Sequence, residues 1–172
     1  QRSLILILLG VTLSTSGKEH FTLSIQNVLT QIGITYIIAF LLMRKKYVWQ
    51  FVISIGLIAL TETLYRTFPV EGYNQPFVEG HNFGTWVNRF IVQGSGSWAS
   101  FNVVPMAAHV IWGVMCGKLL LSGRSERQKL KILILAGIAA LVGGYSLSTV
   151  TPIIKHIMTS SFTIMSIGWT IL

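Results

Sequence analysis

The sequence predicts an all-α protein of the membrane: a polytopic helix bundle with about six spanning segments and one long outer loop. Three observations carry this. Hydrophobic residues fill 52% of the 172 positions and charged residues only 10%, against about 25% charged in ordinary soluble domains. The mean hydropathy of +0.65 excludes an ordinary cytosolic globule. The apolar residues also fall in long uncharged runs, the pattern of spanning helices rather than of alternating barrel strands. The net charge of +8 does not point to nucleic acid. Its cations sit in short connections between apolar runs and form no interleaved patch.

The expected spans are about 3–16, 23–43, 47–65, 99–121, 131–150 and 157–172, all within a single transmembrane domain. The run at 4–15 follows Gln1-Arg2-Ser3 and ends in Ser14-Thr15-Ser16. It reads either as a signal peptide or as the tail of a spanning helix. The missing initiator methionine and the later spans favour the tail. The last run stops within apolar sequence, so the chain is expected to be an internal piece of a larger bundle.

A polar connection, Gly17-Lys18-Glu19-His20, leads to the second span, which is closed by Arg44-Lys45-Lys46. Such a basic triplet stays on the cytoplasmic side. Asn27 and Gln31 lie four residues apart and so share a helix face, near Thr35. They either join helices by hydrogen bonds or line a polar pathway. Glu62 and Arg66 can pair across one turn at the end of the third span.

The loop 66–98 is long, and its aromatic residues argue against disorder. Within it Phe83, Trp86, Val87, Phe90 and Ile91 recur at helical spacing behind Asn82, a candidate cap. This predicts a short amphipathic helix on the membrane surface. Gly94-Ser95-Gly96-Ser97 reads as a hinge before the next span.

That span is free of charge from Ala99 to Gly117, long enough to cross the hydrocarbon core. Asn102 is placed to cap it, with Pro105 in the first turn. His109 then lies two turns inside, roughly 10 Å along the axis. An ionisable residue at such depth faces water, a partner or a substrate. It is either hydrogen-bonded to a neighbouring helix or part of a cavity with Asn102, Asn27 and Gln31. Gly113 and Gly117, and Gly137, Gly143 and Gly144 in the fifth span, predict close helix contacts. Lys155-His156 falls in an outer loop, and Thr159-Ser160-Ser161 offers hydroxyls to cap the last span.

The orientation follows from the cations. Nine fall inside (Arg2, Arg44, Lys45, Lys46, Lys118, Arg124, Arg127, Lys129, Lys131) and four outside (Lys18, Arg66, Arg89, Lys155). This places loops 44–46 and 122–130 in the cytoplasm. No phosphate-binding loop, dinucleotide fingerprint, nucleophile elbow or zinc-protease motif is present. The four histidines show no metal-ligand spacing, so no metal is expected. Cys116, alone and inside a span, gives no disulfide framework.

Four stretches carry a family resemblance: NVLTQIGITY at 27–36, NFGTW at 82–86, PMAAHVIWGVMCGK at 105–118 and TPIIKHIMTSSF at 151–162. In order and spacing they resemble the heparan-α-glucosaminide N-acetyltransferase-like membrane acyltransferases, including their bacterial relatives. The resemblance covers most of the chain from about residue 23. It implies a bundle of ten or eleven helices, often a homodimer, in a bacterial inner membrane. It also implies transfer of an acetyl or acyl group from cytosolic acetyl-CoA or another acyl-CoA to a sugar amine or hydroxyl outside. The family's catalytic histidine lies upstream of this sequence and maps onto none of its residues. Better-known members carry Gln-Arg where this chain has Thr30-Gln31, a difference that removes a cation. On this reading Trp86, Trp98 and Lys155 are candidate contacts to the sugar acceptor, and the basic loops would meet the CoA phosphates. A transporter or flippase, or a structural membrane subunit, is the rival reading.

Overall fold

The structure, a computed structural model, describes residues 2–16, 25–91 and 98–172. The connection 17–20 and the hinge 94–97 lie outside the described residues. Among those described the chain is all-helical: α1 (Arg2–Thr15), α2 (Val28–Leu42), α3 (Tyr47–Thr67), α4 (Phe83–Ile91), a 3-10 turn (Ser100–Asn102), α5 (Val103–Leu120), α6 (Glu126–Leu147) and α7 (Ser160–Ile171).

Three segments are long and apolar enough to cross a membrane: Tyr47–Thr67, Ser100–Leu120 and Glu126–Leu147. At 1.5 Å per residue each reaches about 30 Å, the thickness of the hydrocarbon core. Only three of the six expected spans therefore appear as full-length helices. The others are shorter for local reasons. In α2 the Asn27 carboxamide accepts the Leu29 N–H at 2.9 Å, so the helix starts at Val28 rather than 23. In α7 the start moves from 157 to Ser160 because 155–158 form a turn, closed by Met158 N–H to Lys155 O at 3.1 Å. α1 has 14 residues.

α2 pairs with α1 and α5, α3 with α5, and α6 above all with α7. The α6–α7 contact is set by glycine. A Cβ on Gly144 would stand 2.7 Å from Met165 N, and one on Gly137 2.7 Å from Leu172 Cγ. Gly168 of α7 completes the seam, 2.8 Å from Leu141 by the same measure. Gly143, Gly113 and Gly117 have no neighbour within 4 Å of such a Cβ, so the expected close contacts form at Gly137 and Gly144 and not at these three. α1 approaches α2 at Gly10, against Thr30, and Ser3 donates to Gly33 O.

Polar residues inside the bundle mostly bond locally or across one helix pair. Gln50 donates to Leu42 O at 2.8 Å, closing the α2–α3 turn. Trp112 donates its indole N–H to Ser54, joining α5 to α3. Glu62 and Arg66 pair as expected at 2.5 Å, and they hold the α6–α7 loop as well. Glu62 accepts from Thr151 and Ser160, both at 2.6 Å, while Arg66 donates to Val150 O at 2.8 Å.

α4 differs from its expectation. It is amphipathic and capped by Asn82, whose Oδ1 accepts the Thr85 N–H at 3.0 Å. Its apolar face, however, turns onto the protein. Phe83, Trp86 and Val87 pack with Tyr65, Phe68 and Phe101, and Phe90 alone of its aromatics is largely exposed. Burying those rings against their own chain removes more apolar surface from water than a surface helix does alone.

Candidate functional site

The sequence-derived site residues separate into two groups. The four proposed for an intramembrane cavity are not joined. Asn27 caps α2. Gln31 is buried, with its Nε2 unpartnered. His109 Nε2 lies 2.8 Å from Ser166 Oγ, linking α5 to α7, and Ser166 in turn donates to Thr163 O at 3.2 Å. Asn102 stands at the start of α5 but does not cap it. Its Nδ2 donates instead to His156 O at 2.8 Å, because the α6–α7 loop passes directly over it.

Of the three candidate acceptor contacts, the structure brings two together. Lys155 Nζ lies 5.6 Å from the centre of the Trp98 ring. The His156 imidazole lies against the same indole, with ring centres 5.2 Å apart. Trp86 is elsewhere, packed 4.9 Å from Phe68 and 4.8 Å from Phe90 in the aromatic cluster.

Beside the Trp98–His156 pair is a cavity of about 190 Å³. Asn82, Thr85 and Asn88 of α4 line one wall, and His156 and Ile157 the other, with Phe77 and Glu79 at its side. Its frame is held by side-chain amides. Asn88 Oδ1 accepts the Ser100 N–H at 2.8 Å, and its Nδ2 donates to Trp98 O at 2.9 Å. Gln26 reaches the same carbonyl at 2.6 Å. His156 O receives two donors, Ala99 N–H at 3.2 Å and Asn102 Nδ2. The imidazole itself makes no hydrogen bond among the described residues, so both ring nitrogens are free to bind.

Two further features mark this end of the bundle. Tyr65 Oη, Ser100 Oγ and Asn102 Oδ1 are buried without a hydrogen-bond partner, and all three lie on or against the 3-10 turn. Buried polar atoms left so are uncommon, and a water or ligand is the usual reason. Met158, two residues after His156, has φ +45, a left-handed backbone that L side chains rarely adopt. Such strain gathers at ligand sites, where surrounding structure enforces it.

Sequence reasoning missed Asn82, Thr85, Asn88 and His156 as lining residues. A signal existed. Asn82, Thr85 and Asn88 recur every third position, opposite the aromatic stripe, and so share one face. Thr159-Ser160-Ser161 was read as a capping set, yet none of these side chains caps α7. Thr159 accepts the Ile154 N–H at 3.1 Å, and Ser160 serves Glu62.

Comparison with protein-family models, curated proteins and solved structures finds no match to this chain.

Proposed function

We propose that this chain forms the acceptor-binding part of an integral membrane acyltransferase, which moves an acetyl or acyl group from acyl-CoA to a sugar amine or hydroxyl. The observation that carries the reading is the grouping of Trp98, Lys155 and His156 beside an amide-lined cavity. An indole face suits the C–H face of a pyranose, and Asn82, Asn88 and Thr85 suit its hydroxyls. The four stretches resembling the heparan-α-glucosaminide N-acetyltransferase-like family supply the reaction class.

In this reading the residues of the chain bind and orient, while the general base lies in the segment that the resemblance places upstream. Acetyl-CoA supplies the acyl group from the side of loops 44–46 and 122–130, taken as cytoplasmic in a bacterial inner membrane. The acceptor waits on the α4 side. Lys155 has a defined part if the acceptor is an amine. A cation close to the sugar nitrogen disfavours its protonated form and leaves the nucleophilic lone pair. The acceptor nitrogen or oxygen attacks the thioester carbonyl, the thiolate of CoA departs, and the acceptor's proton passes to the base. All six segments cross in this topology, with the short α2 and α7 packed against the longer α5 and α6, and α1 against α2.

The transporter reading has less support. Asn27, Gln31 and His109 would have to line one passage, yet Asn27 is spent on the α2 cap and His109 on Ser166 of α7.

The test is acetyl-CoA consumption in sealed vesicles, with glucosamine on the α4 side and a chain that includes the upstream histidine. Turnover that falls at least tenfold in Trp98→Ala supports the reading. Full turnover in that variant, or no turnover with any amino sugar, overturns it. The 172-residue chain alone is expected to give no product above background, since loss of a proton-transfer residue typically costs about 100- to 10,000-fold.

A further inference from the structure

The bundle is tied at one end and split at the other. Near α4, the Glu62–Ser160 and Asn102–His156 bonds bind the α6–α7 pair to α3 and α5. Toward the basic turns the pair stands away and leaves an apolar cleft of about 780 Å³. Phe51 and Ile55 of α3, Trp112 and Met115 of α5, and Ala136 and Ala140 of α6 form its walls. Tyr47, the first residue of α3, and Arg124 of the α5–α6 turn also line it at that end. Its volume falls within the roughly 300–1,000 Å³ of ordinary ligand sites.

We propose that this cleft binds one acyl chain of an anionic phospholipid, with the headgroup held between Arg124 and Lys118. Charge is the first argument. Arg124 is exposed and makes no hydrogen bond or ion pair with any described residue. The nearest acid in sequence, Glu126, is already engaged by Lys129 at 2.9 Å. Lys118 holds its ammonium 4.5 Å above the Tyr47 ring and donates to Lys45 O at 2.8 Å. Arg124 in the lining, and Lys118 set over the Tyr47 ring that lines the slot, match a phosphodiester with a tail.

The walls decide between a lipid tail and other occupants. An acyl-CoA would thread the two amides of its pantetheine arm between these walls. Of the hydrogen-bonding side chains in the lining, Trp112 is bonded to Ser54 and Ser122 to Leu119 O, Tyr47 and Arg124 stand at the end near the basic turns, and Cys116 is only a weak donor. Amides without partners are disfavoured there, whereas a plain alkyl chain is not. A helix from a second copy packs best on small residues. Ala136, Ala139 and Ala140 supply such residues on the α6 wall alone, while the facing walls are the bulky Phe51, Ile55, Trp112 and Met115. The proposal is independent of acyl transfer.

Trp112 is a built-in reporter. The purified chain is reconstituted in bilayers containing either chain-brominated phosphatidylglycerol or chain-brominated phosphatidylcholine. The quenching of Trp112 is taken by difference from Trp112→Phe. The expected result is quenching at about fivefold lower mole fraction of the anionic lipid, the preference that one surface cation typically confers. Arg124→Gln should remove most of that preference, and Ala140→Phe should abolish quenching by filling the cleft while leaving helicity unchanged. Equal quenching by both lipids, or an undiminished preference in Arg124→Gln, overturns the proposal. So does displacement of the brominated lipid by equimolar palmitoyl-CoA, which would assign the cleft to the thioester. Shielding of Trp112 from both lipids together with a cross-linked dimer would assign it to a second copy.

Discussion

Ser160 donates its hydroxyl to Glu62 at 2.6 Å, across 98 residues of chain. With Thr151 and Arg66 on the same carboxylate, this one acid gathers α3, the α6–α7 loop and the start of α7. Hydrogen bonds to a charged group contribute about 1.5–3 kcal/mol each, less where water competes. Glu62→Ala should therefore lower the thermal midpoint in detergent well beyond Ser160→Ala. The double variant should show strong non-additivity, because both remove one shared contact. Additive losses would mean that the hydroxyl and the carboxylate act separately.

The glycines of α6 are expected to differ sharply. Gly144→Leu places a side chain where Met165 backbone already stands, whereas Gly143→Leu meets open space. The first should disrupt α6–α7 pairing, read as loss of a monodisperse elution peak, and the second should be tolerated. Gly117→Leu in α5, which also meets open space, should be tolerated likewise.

Gly84 has a narrower role. A methyl there collides with the Tyr65 hydroxyl and would stand 2.7 Å from the Ala99 Cβ. Tyr65 Oη has no hydrogen-bond partner, so removing it sacrifices nothing that the protein bonds. Tyr65→Phe should be neutral or mildly stabilising. Gly84→Ala should be destabilising by roughly 1–3 kcal/mol, as overpacking is. Combining the two should recover part of the loss, and thermal melts of the four proteins decide it.

Orientation can be measured directly. With Cys116→Ala as background, a cysteine replacing exposed Glu71 should react with an impermeant thiol reagent in intact cells. One replacing exposed Ser125 should react only after lysis. The opposite pattern would invert the basic-side assignment.

Much of the helix layout was legible because charge-free length is a property of sequence alone. The runs ending at Arg44–Lys46 and at Lys118 mark helices, and one-turn spacing was enough to pair Glu62 with Arg66. The fate of polar side chains was not legible. Asn102 sits where a cap belongs, yet His156 O, 54 residues away, takes its amide. Which donor meets which acceptor depends on the register between helices, and local spacing does not encode that register. For the same reason Trp98, Lys155 and His156 could be nominated singly or passed over, but not assembled.

The α6–α7 pair is joined within itself by glycine-to-backbone contact and to the remainder largely by a few side-chain hydrogen bonds. Those two kinds of contact do not form at the same stage of biogenesis. The glycine seam needs only its own two helices, so it can close as the hairpin leaves the translocation machinery. The bonds to Glu62 and His109 need α3 and α5 already in place. The hairpin is thus expected to close before it docks, an order that cross-linking α6 to α7 and α7 to α3 at successive times of synthesis would read.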